Sequence, residues 1–402
     1  MRVHIGLFGR RNAGKSSILN ALTRQQVSIV SDTAGTTTDP VEKPMELLPI
    51  GPVQFIDTAG IDDAGALGEQ RVTRSRQVIE RCDIAVLVIG DAHWTAFEQQ
   101  LLEAFRVRSV PVIAVFNKQD QQAVAVAQRQ CLEDDGLSVV STIASQGEGM
   151  LALREALIEA CPDDLINQPS IVGDLVPSGS PVLLVVPIDL EAPKGRLILP
   201  QVQTIRDLLD SDCWAVVVKE RELRDCLERF REPPALVVCD SQVFLKVAGD
   251  VPPAIPLTSF SILFARFKGD LSSLAVGATA IDRLRPGSRV LMAESCSHHP
   301  IGDDIGRVKI PRWLTQYVGG KLELTHVQGH DFPDDLASYD LCIHCGGCTH
   351  NRRSMLSRIA RCQAAGVPIT NYGMAIAWSL GICDRALQPF PAALDAVRAA
   401  VE

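Results

Sequence analysis

The segment Gly9–Ser16, GRRNAGKS, constrains this chain more than any other stretch. It fits the pattern G-x-x-x-x-G-K-S/T, follows a β-branched apolar run at Val3–Phe8 and precedes an apolar helical stretch at Ser17–Leu22. Strand, glycine loop and helix in that order make the phosphate-binding unit of a parallel α/β sheet. The glycines let backbone N–H groups close around phosphate oxygens, and the helix N-terminus favours negative charge. Gly9, Ala13, Gly14 and Ser17 therefore belong to the nucleotide cradle, Lys15 is expected to reach the β- and γ-phosphates, and Ser16 to ligate Mg²⁺.

Further motifs specify the nucleotide. Asp57–Gly60, DTAG, ends the next predicted strand; Asp57 is expected to hold Mg²⁺ through water and the Gly60 N–H to sense the γ-phosphate. Asn117–Asp120, NKQD, closes another, and the Asp120 carboxylate can accept both the N1–H and the exocyclic amine of guanine, a donor pair that adenine lacks. Asn117 and Lys118 complete that loop. The ligand is therefore GTP or GDP rather than an adenine nucleotide. Gly35–Asp39, GTTTD, has switch-loop composition, and Thr37, with Thr36 as the alternative, is expected to complete the Mg²⁺ shell. The last guanine loop, TIASQGEGM, departs from the usual S-A-x-x-G-x-G at Ile143, leaving Ala144 and Ser145 as its contacts. Lys15, Thr37 and Gly60 are the expected catalytic set for GTP hydrolysis.

Two details refine that chemistry. Ile61 stands where small Ras-type GTPases carry a water-orienting glutamine, and an isoleucine cannot position water by hydrogen bonding. Asn12, read with GRxNAGKSS and AGTTxD, resembles the potassium-activated GTPases of the tRNA-modifying and ribosome-assembly group. That resemblance implies K⁺ bound at Asn12, where an arginine finger would otherwise lie.

The predicted fold class is α/β: a P-loop GTPase domain over residues 1–168, then two smaller α/β domains with mainly parallel sheets, over 175–265 and 268–402. Strands are predicted at Val53–Asp57, Ile84–Ile89 and Val112–Asn117 in the first block, and at Val182–Pro187, Cys213–Val218 and Ala235–Cys239 in the second. Residues 162–180, rich in Pro, Asp, Gly and Ser, read as a linker. The second block carries no phosphate loop or metal cluster and reads as a scaffold or subunit contact. In the third, strands are predicted at Arg289–Ala293, Leu322–Thr325 and Tyr339–Ile343, and a helix at Arg352–Ala365 closed by Gly366. A net charge of −9 argues against a nucleic-acid footprint, and no apolar run of membrane-spanning length occurs. With a start that reads as a strand rather than a signal peptide, the expected compartment is the cytoplasm.

Twelve cysteines are many for a cytosolic chain, where clustered thiols mean metal or redox sites rather than disulfides. Eight are scattered and read as core hydrophobes. The informative ones are Cys296-Ser-His298, just after one predicted strand, and His344-Cys345-Gly-Gly-Cys348, just after another. Loops leaving the C-terminal ends of parallel strands converge where ligands sit. Three thiolates suit an iron–sulfur cluster or zinc, and a site without metal stays open on chemistry alone. A ferredoxin run starting at Cys342 fails because its fourth position is Arg352, and Cys342, lying within the predicted strand, reads as a core thiol. His299 and His350 read as polar neighbours rather than ligands.

An amino-terminal GTPase joined to C-x-H, 45 intervening residues and H-C-x-x-C resembles the [FeFe]-hydrogenase maturation GTPase family, HydF. The resemblance extends to APKGRLILPQ at 192–201, LTSFSILFAR at 257–266, DDIGRVKIPRW at 303–313 and PITNYGMAIAW at 368–378. It implies GTPase, dimerisation and [4Fe–4S]-binding domains, the cluster held by Cys296, Cys345 and Cys348, with His344 and His298 as candidates for the fourth position. It also implies a carrier that receives a transient diiron precursor made with two radical-SAM maturases and delivers it to apo-[FeFe]-hydrogenase, working as a homodimer or tetramer. The competing expectations are a tRNA-modifying or ribosome-assembly GTPase with a zinc module, against which the acidic balance counts, and a cluster-based redox enzyme regulated by its GTPase.

Overall fold

The computed structural model describes residues 2–23, 40–58, 77–162, 169–188, 195, 197–295 and 304–402. These form two compact units, Met1–Gln168 and Pro169–Glu402.

The first unit is built on one six-stranded sheet. Its strands are Val3–Phe8 (β1), Val41–Leu47 (β2), Gly51–Asp57 (β3), Ile84–Ile89 (β4), Val112–Phe116 (β5) and Ser138–Ser141 (β6), in the order β2-β3-β1-β4-β5-β6. Every pair is parallel except β2–β3. Every residue of β1 and β4 is buried, which is why β4 reads as an unbroken apolar run and β1 as one interrupted by His4 alone. On one face, Val3, Ile5 and Leu7 pack with Ile18 and Leu19 of helix α1 (Lys15–Thr23). On the other, Phe8 and Leu87 pack with Leu102 and Phe105 of helix α2 (Ala96–Arg106). Helices α3 (Val126–Asp134) and α4 (Met150–Glu159) complete the layers. Strand β2 was not foreseen: VEKPMEL puts charges and a proline on a half-exposed antiparallel edge, where no buried-strand signal arises. Because β1 lies between β3 and β4, a crevice opens at its C-terminal end, where Gly9–Ser16 begins.

The second unit holds two four-stranded parallel sheets. Strands Pro181–Val185 (β7), Trp214–Val218 (β8), Leu236–Cys239 (β9) and Leu257–Ser259 (β10) take the order β10-β9-β7-β8. Strands Arg289–Glu294 (β11), Glu323–Gln328 (β12), Leu341–His344 (β13) and Ile369–Asn371 (β14) take the order β12-β11-β13-β14. The helices are Leu199–Asp210 (α5), Leu223–Arg229 (α6), Phe244–Asp250 (α7), Phe260–Lys268 (α8), Leu271–Ala278 (α9), Ile310–Val318 (α10), Arg352–Ala364 (α11) and Tyr372–Ser379 (α12), followed by two more at the C-terminus. Gly366, just beyond α11, has φ +69°, the left-handed conformation of a helix stop.

Four sequence expectations change. The stretch around residue 171 is not a loose linker: Ser170 Oγ and the backbone N–H groups of Ile171, Val172 and Gly173 all donate to the Asp207 carboxylate of α5, and Ile171 and Val172 are buried. Among the scattered cysteines, Cys131 is exposed and Cys226 half-buried. Strand β13 runs on through His344, one residue beyond its predicted end. The boundary expected between 265 and 268 falls inside α8, which packs on α5, α11 and α12. No helix among the described residues is long and apolar enough to cross a membrane.

Candidate nucleotide site and cysteine site

Strand β1 delivers the chain into the phosphate loop, where Gly9, Asn12 and Gly14 have φ of +144°, +57° and +96°. A Cβ on Gly14 would come within 2.1 Å of Asn117 Nδ2, so only glycine lets the two loops meet. Lys15 is buried at the start of α1, and its ammonium donates to the Gly9 and Arg10 carbonyls at 3.0 and 2.8 Å. This curls the lysine back over the loop that it is expected to share with phosphate. The Ser16 hydroxyl donates to Asp57 Oδ2 at 2.5 Å, so the two expected Mg²⁺ residues, 41 positions apart, share one spot. Both offer oxygen, the donor that a hard divalent cation takes.

Asn117 turns out to be a strut. Buried at the end of β5, it donates through Nδ2 to the Ala13 carbonyl at 3.1 Å, while its Oδ1 accepts from the Thr142 hydroxyl and the Ala144 N–H, each at 3.1 Å. It thus ties the phosphate loop to the loop carrying Ala144 and Ser145. Lys118 has φ +58°; Asp120 and Ser145 are exposed beside it, as a base-reading edge must be. Ser17 is half-buried in α1. Thr36, Thr37, Gly60 and Ile61 lie outside the described residues. Asn117→Ala strands a buried carbonyl and a buried N–H. At about 1–3 kcal/mol for such a loss, GTP affinity is expected to fall ~10- to 100-fold, measurable by fluorescent-nucleotide titration.

Sequence reading missed Arg10. It donates to Glu98 Oε1 at 3.1 Å and Thr95 Oγ1 at 2.6 Å and lies over the Phe97 ring. Thr95 and Glu98 form the capping box of α2. The T-x-x-E spacing was the available signal.

The cysteine site grows from the order β12-β11-β13-β14. Strands β11 and β13 are parallel neighbours with Ala293 opposite His344, so the residues that follow each strand leave side by side. The Cys345 N–H donates to the Ala293 carbonyl at 2.9 Å and Thr349 Oγ1 to the Ser295 carbonyl at 3.0 Å, which locks the two loops together. The Cys345 sulfur accepts the Ser295 N–H at 3.1 Å and the Gly347 N–H at 3.4 Å, with Ser295 Oγ 3.2 Å away. N–H groups aimed at sulfur stabilise a thiolate, the form that binds metal. Cys345 and Cys348 are half-buried. Burial pushes the Cys348 thiol up, and Lys268 opposes that. This donor set fits a thiolate-ligated group. Cys296, His298 and His299 lie outside the described residues. Cys342 is fully buried within β13, as a core thiol.

His344 runs against its expected role. It is fully buried, with Nδ1 2.8 Å from the Cys345 carbonyl, which can only accept; that nitrogen therefore carries the proton. Nε2 then accepts from Arg358 Nη1 at 2.8 Å. Burial and the Arg358 charge pull its pKa down to about 3. Both nitrogens are engaged, so in this arrangement His344 offers no lone pair to a metal and instead fixes the turn into Cys345. His350 is buried against the His330 ring, with Nε2 3.1 Å from the Gly329 carbonyl. Among the described residues no three His, Cys, Asp or Glu side chains converge as a single-ion site. Sequence reading missed Arg358, Ser295 and Lys268. No spacing marks them, because each reaches the site from a different element.

Residues 4–118 match a model described as a 50S ribosome-binding GTPase. Residues 171–269 match the hydrogen maturase F dimerization domain, and 272–389 the hydrogen maturase F tetramerization domain. Over 158 residues the chain is 40% identical to the tRNA modification GTPase MnmE of Acaryochloris marina, covering 39% of this chain and 33% of that protein. Over 219 residues it is 32% identical to MnmE of a Cyanothece strain, covering 54% and 45%. The chain thus spans well under two thirds of the length of these relatives. Among solved structures, Era of Aquifex aeolicus bound to GDP and aluminium fluoride aligns over 57% of this chain and 99% of that one, at 21% identity and a TM-score of 0.37. The G domain of T. maritima FeoB aligns over 40% and 100%, at 24% identity and a TM-score of 0.32. The first unit is a GTPase domain of the P-loop class, and the residues that follow it match the two hydrogen maturase F domain models.

Proposed function

We propose that this chain works in hydrogenase maturation in the manner of the hydrogen maturase F family. It hydrolyses GTP to GDP and phosphate, holds a [4Fe–4S] cluster on Cys296, Cys345 and Cys348, and delivers a diiron precursor to apo-[FeFe]-hydrogenase. The observation that carries this reading is the joining, in one chain, of a GTPase domain, both hydrogen maturase F domains and two cysteine loops that leave neighbouring strands. In this reading residues 175–265 serve dimerisation and 268–402 bind the cluster. Two radical-SAM maturases supply the precursor, and the work is done in the cytoplasm, where thiols stay reduced.

The resident cluster would supply an iron site whose fourth position is exchangeable. The chain's own residues do the rest: Ser295 and Gly347 N–H groups hold the Cys345 sulfur, and His344 and Arg358 fix the turn that carries it. With His344 engaged, the fourth position falls to His298 or to an exchangeable ligand. Self-association is supported by β8, an edge strand on which Trp214 and Val217 are exposed, beside exposed Val202 and Leu209 of α5. A second copy meeting this edge about a two-fold axis would cover it.

The test is direct. The full chain, reconstituted anaerobically with iron and sulfide, is expected to contain about four irons, to show a reduced-cluster EPR signal, and to activate apo-hydrogenase once loaded with diiron precursor. Zinc without an EPR signal would favour the tRNA-modifying or ribosome-assembly alternative.

Potassium belongs to the same proposal. Ile61 cannot orient water, and Arg10 is committed to Glu98 and Thr95. Asn12 is exposed in the phosphate loop and offers its side-chain oxygen. GTP turnover is expected to be faster in K⁺ than in Na⁺ at equal ionic strength, by about tenfold or more on the scale of one lost transition-state charge contact. Asn12→Ala is expected to erase most of the difference. Equal rates in both salts would remove potassium and leave the GTPase in place.

A further inference from the structure

The C-terminal end of α8 and the cysteine turn grip each other through two cations. Lys268, the last residue of α8, is only 2% exposed. Burying an ammonium is costly unless each of its donors finds an acceptor. Here Nζ donates to the carbonyls of Gly347, Cys348 and His350 at 2.7, 2.8 and 2.8 Å, which uses all three N–H groups on one turn. In return, Arg352, which opens α11 just after that turn, donates to the carbonyls of Phe267 and Gly269 at 2.8 and 3.1 Å and reaches that of Arg266 at 3.4 Å. These are the carbonyls that the end of α8 leaves without helical partners.

The clasp has a consequence for the sulfur atoms. A trans peptide is planar, with its C=O and N–H pointing opposite ways. Drawing the Gly347 carbonyl onto Lys268 therefore turns the Cys348 N–H, which shares that peptide plane, away from the lysine. Lys268 also places its ammonium, with all three N–H groups held by carbonyls, against the turn that carries Cys345 and Cys348.

We infer that Lys268 is a positioning residue for the iron–sulfur site: braced by Arg352, it sets the peptide planes of the cysteine turn and supplies a fixed charge that stabilises the reduced cluster. This rests on the cluster reading above. A reduced cluster carries one more negative charge, so removing a nearby cation makes reduction harder.

The experiment uses the full chain, reconstituted with iron and sulfide, as wild type, Lys268→Met and Lys268→Arg. Lys268→Met is expected to lose iron to a chelator at least tenfold faster. Its midpoint potential is expected to move negative by the equivalent of a tenfold shift in the reduction equilibrium, ~59 mV for one electron. Lys268→Arg keeps the charge but not the three-carbonyl geometry. Its potential is expected to stay near wild type while its chelator resistance falls and its g-values shift. A purely structural lysine would leave the potential unmoved in any variant that retains its cluster. Wild-type potential and wild-type chelator resistance in Lys268→Met overturn the inference. If Lys268→Met does not fold, Lys268→Arg decides alone, and wild-type iron retention with wild-type g-values in that variant overturns it. A wild-type protein that binds no cluster at all sinks the functional reading instead, which separates the two failures.

Discussion

Serine at Cys296, Cys345 and Cys348 together is expected to strip the protein of its iron and to abolish activation of apo-[FeFe]-hydrogenase, even with diiron precursor supplied. Thiolate is the soft, strong ligand here, and a serine hydroxyl is neither ionised near neutral pH nor soft. The loss should be complete in iron analysis and in EPR, because His344 and His350 do not substitute: both His344 nitrogens are taken, and His350 is buried against His330. His344→Ala is the informative contrast. It deletes a partner of Arg358 and the hydrogen bond to the Cys345 carbonyl, so it should disturb the g-values and leave iron bound. Cys342→Ser should keep the cluster, since that thiol lies inside β13. GTP hydrolysis should survive in all of these variants, because every residue expected to bind the nucleotide belongs to the first compact unit. If the cluster-free triple variant activated the hydrogenase normally, the carrier reading would fall.

The second large effect is expected at Lys15. Lys15→Ala removes the ammonium that now holds the Gly9 and Arg10 carbonyls and is expected to meet the β- and γ-phosphates. Donors aimed at developing transition-state charge are worth about 10²–10³-fold each, so GTP turnover should drop at least that far in a phosphate-release assay. The same substitution also frees a buried turn, and weaker GTP binding should accompany the slower step. Asp120→Asn probes the base instead. It replaces one acceptor oxygen by a donor, so guanine affinity should fall while the phosphate chemistry stays intact. Unchanged GTP affinity in that variant would refute the guanine assignment. Iron content should stay at wild-type level in both variants.

Much of this was legible in the residues. GRRNAGKS needs no tertiary context to be recognised, because its chemistry is local: glycines, a lysine and a hydroxyl within one turn, between an apolar strand and an apolar helix. The buried strands β1, β4 and β5 were equally plain, since burial on both faces favours near-continuous apolar runs. The harder elements were β2, whose charges and proline belong to an edge, and β10 and β14, each three residues long and too short to show a period.

By itself, then, the sequence determined the nucleotide, the α/β class and which thiols stand close in the chain. Each of those depends on residue type within a few positions. The tertiary structure alone decided which distant residues meet. It put β11 beside β13 and moved β12 outside, so that loops about 50 positions apart leave as neighbours. It made Asn117 a strut, because Ala13 and Ala144 come within reach only when β1, β5 and β6 share a sheet. It engaged the second nitrogen of His344 by bringing in Arg358, fourteen residues on and one helix away. Hydrogen-bond partners are chosen by distance in space, and a linear chain carries no record of that distance until the sheets close.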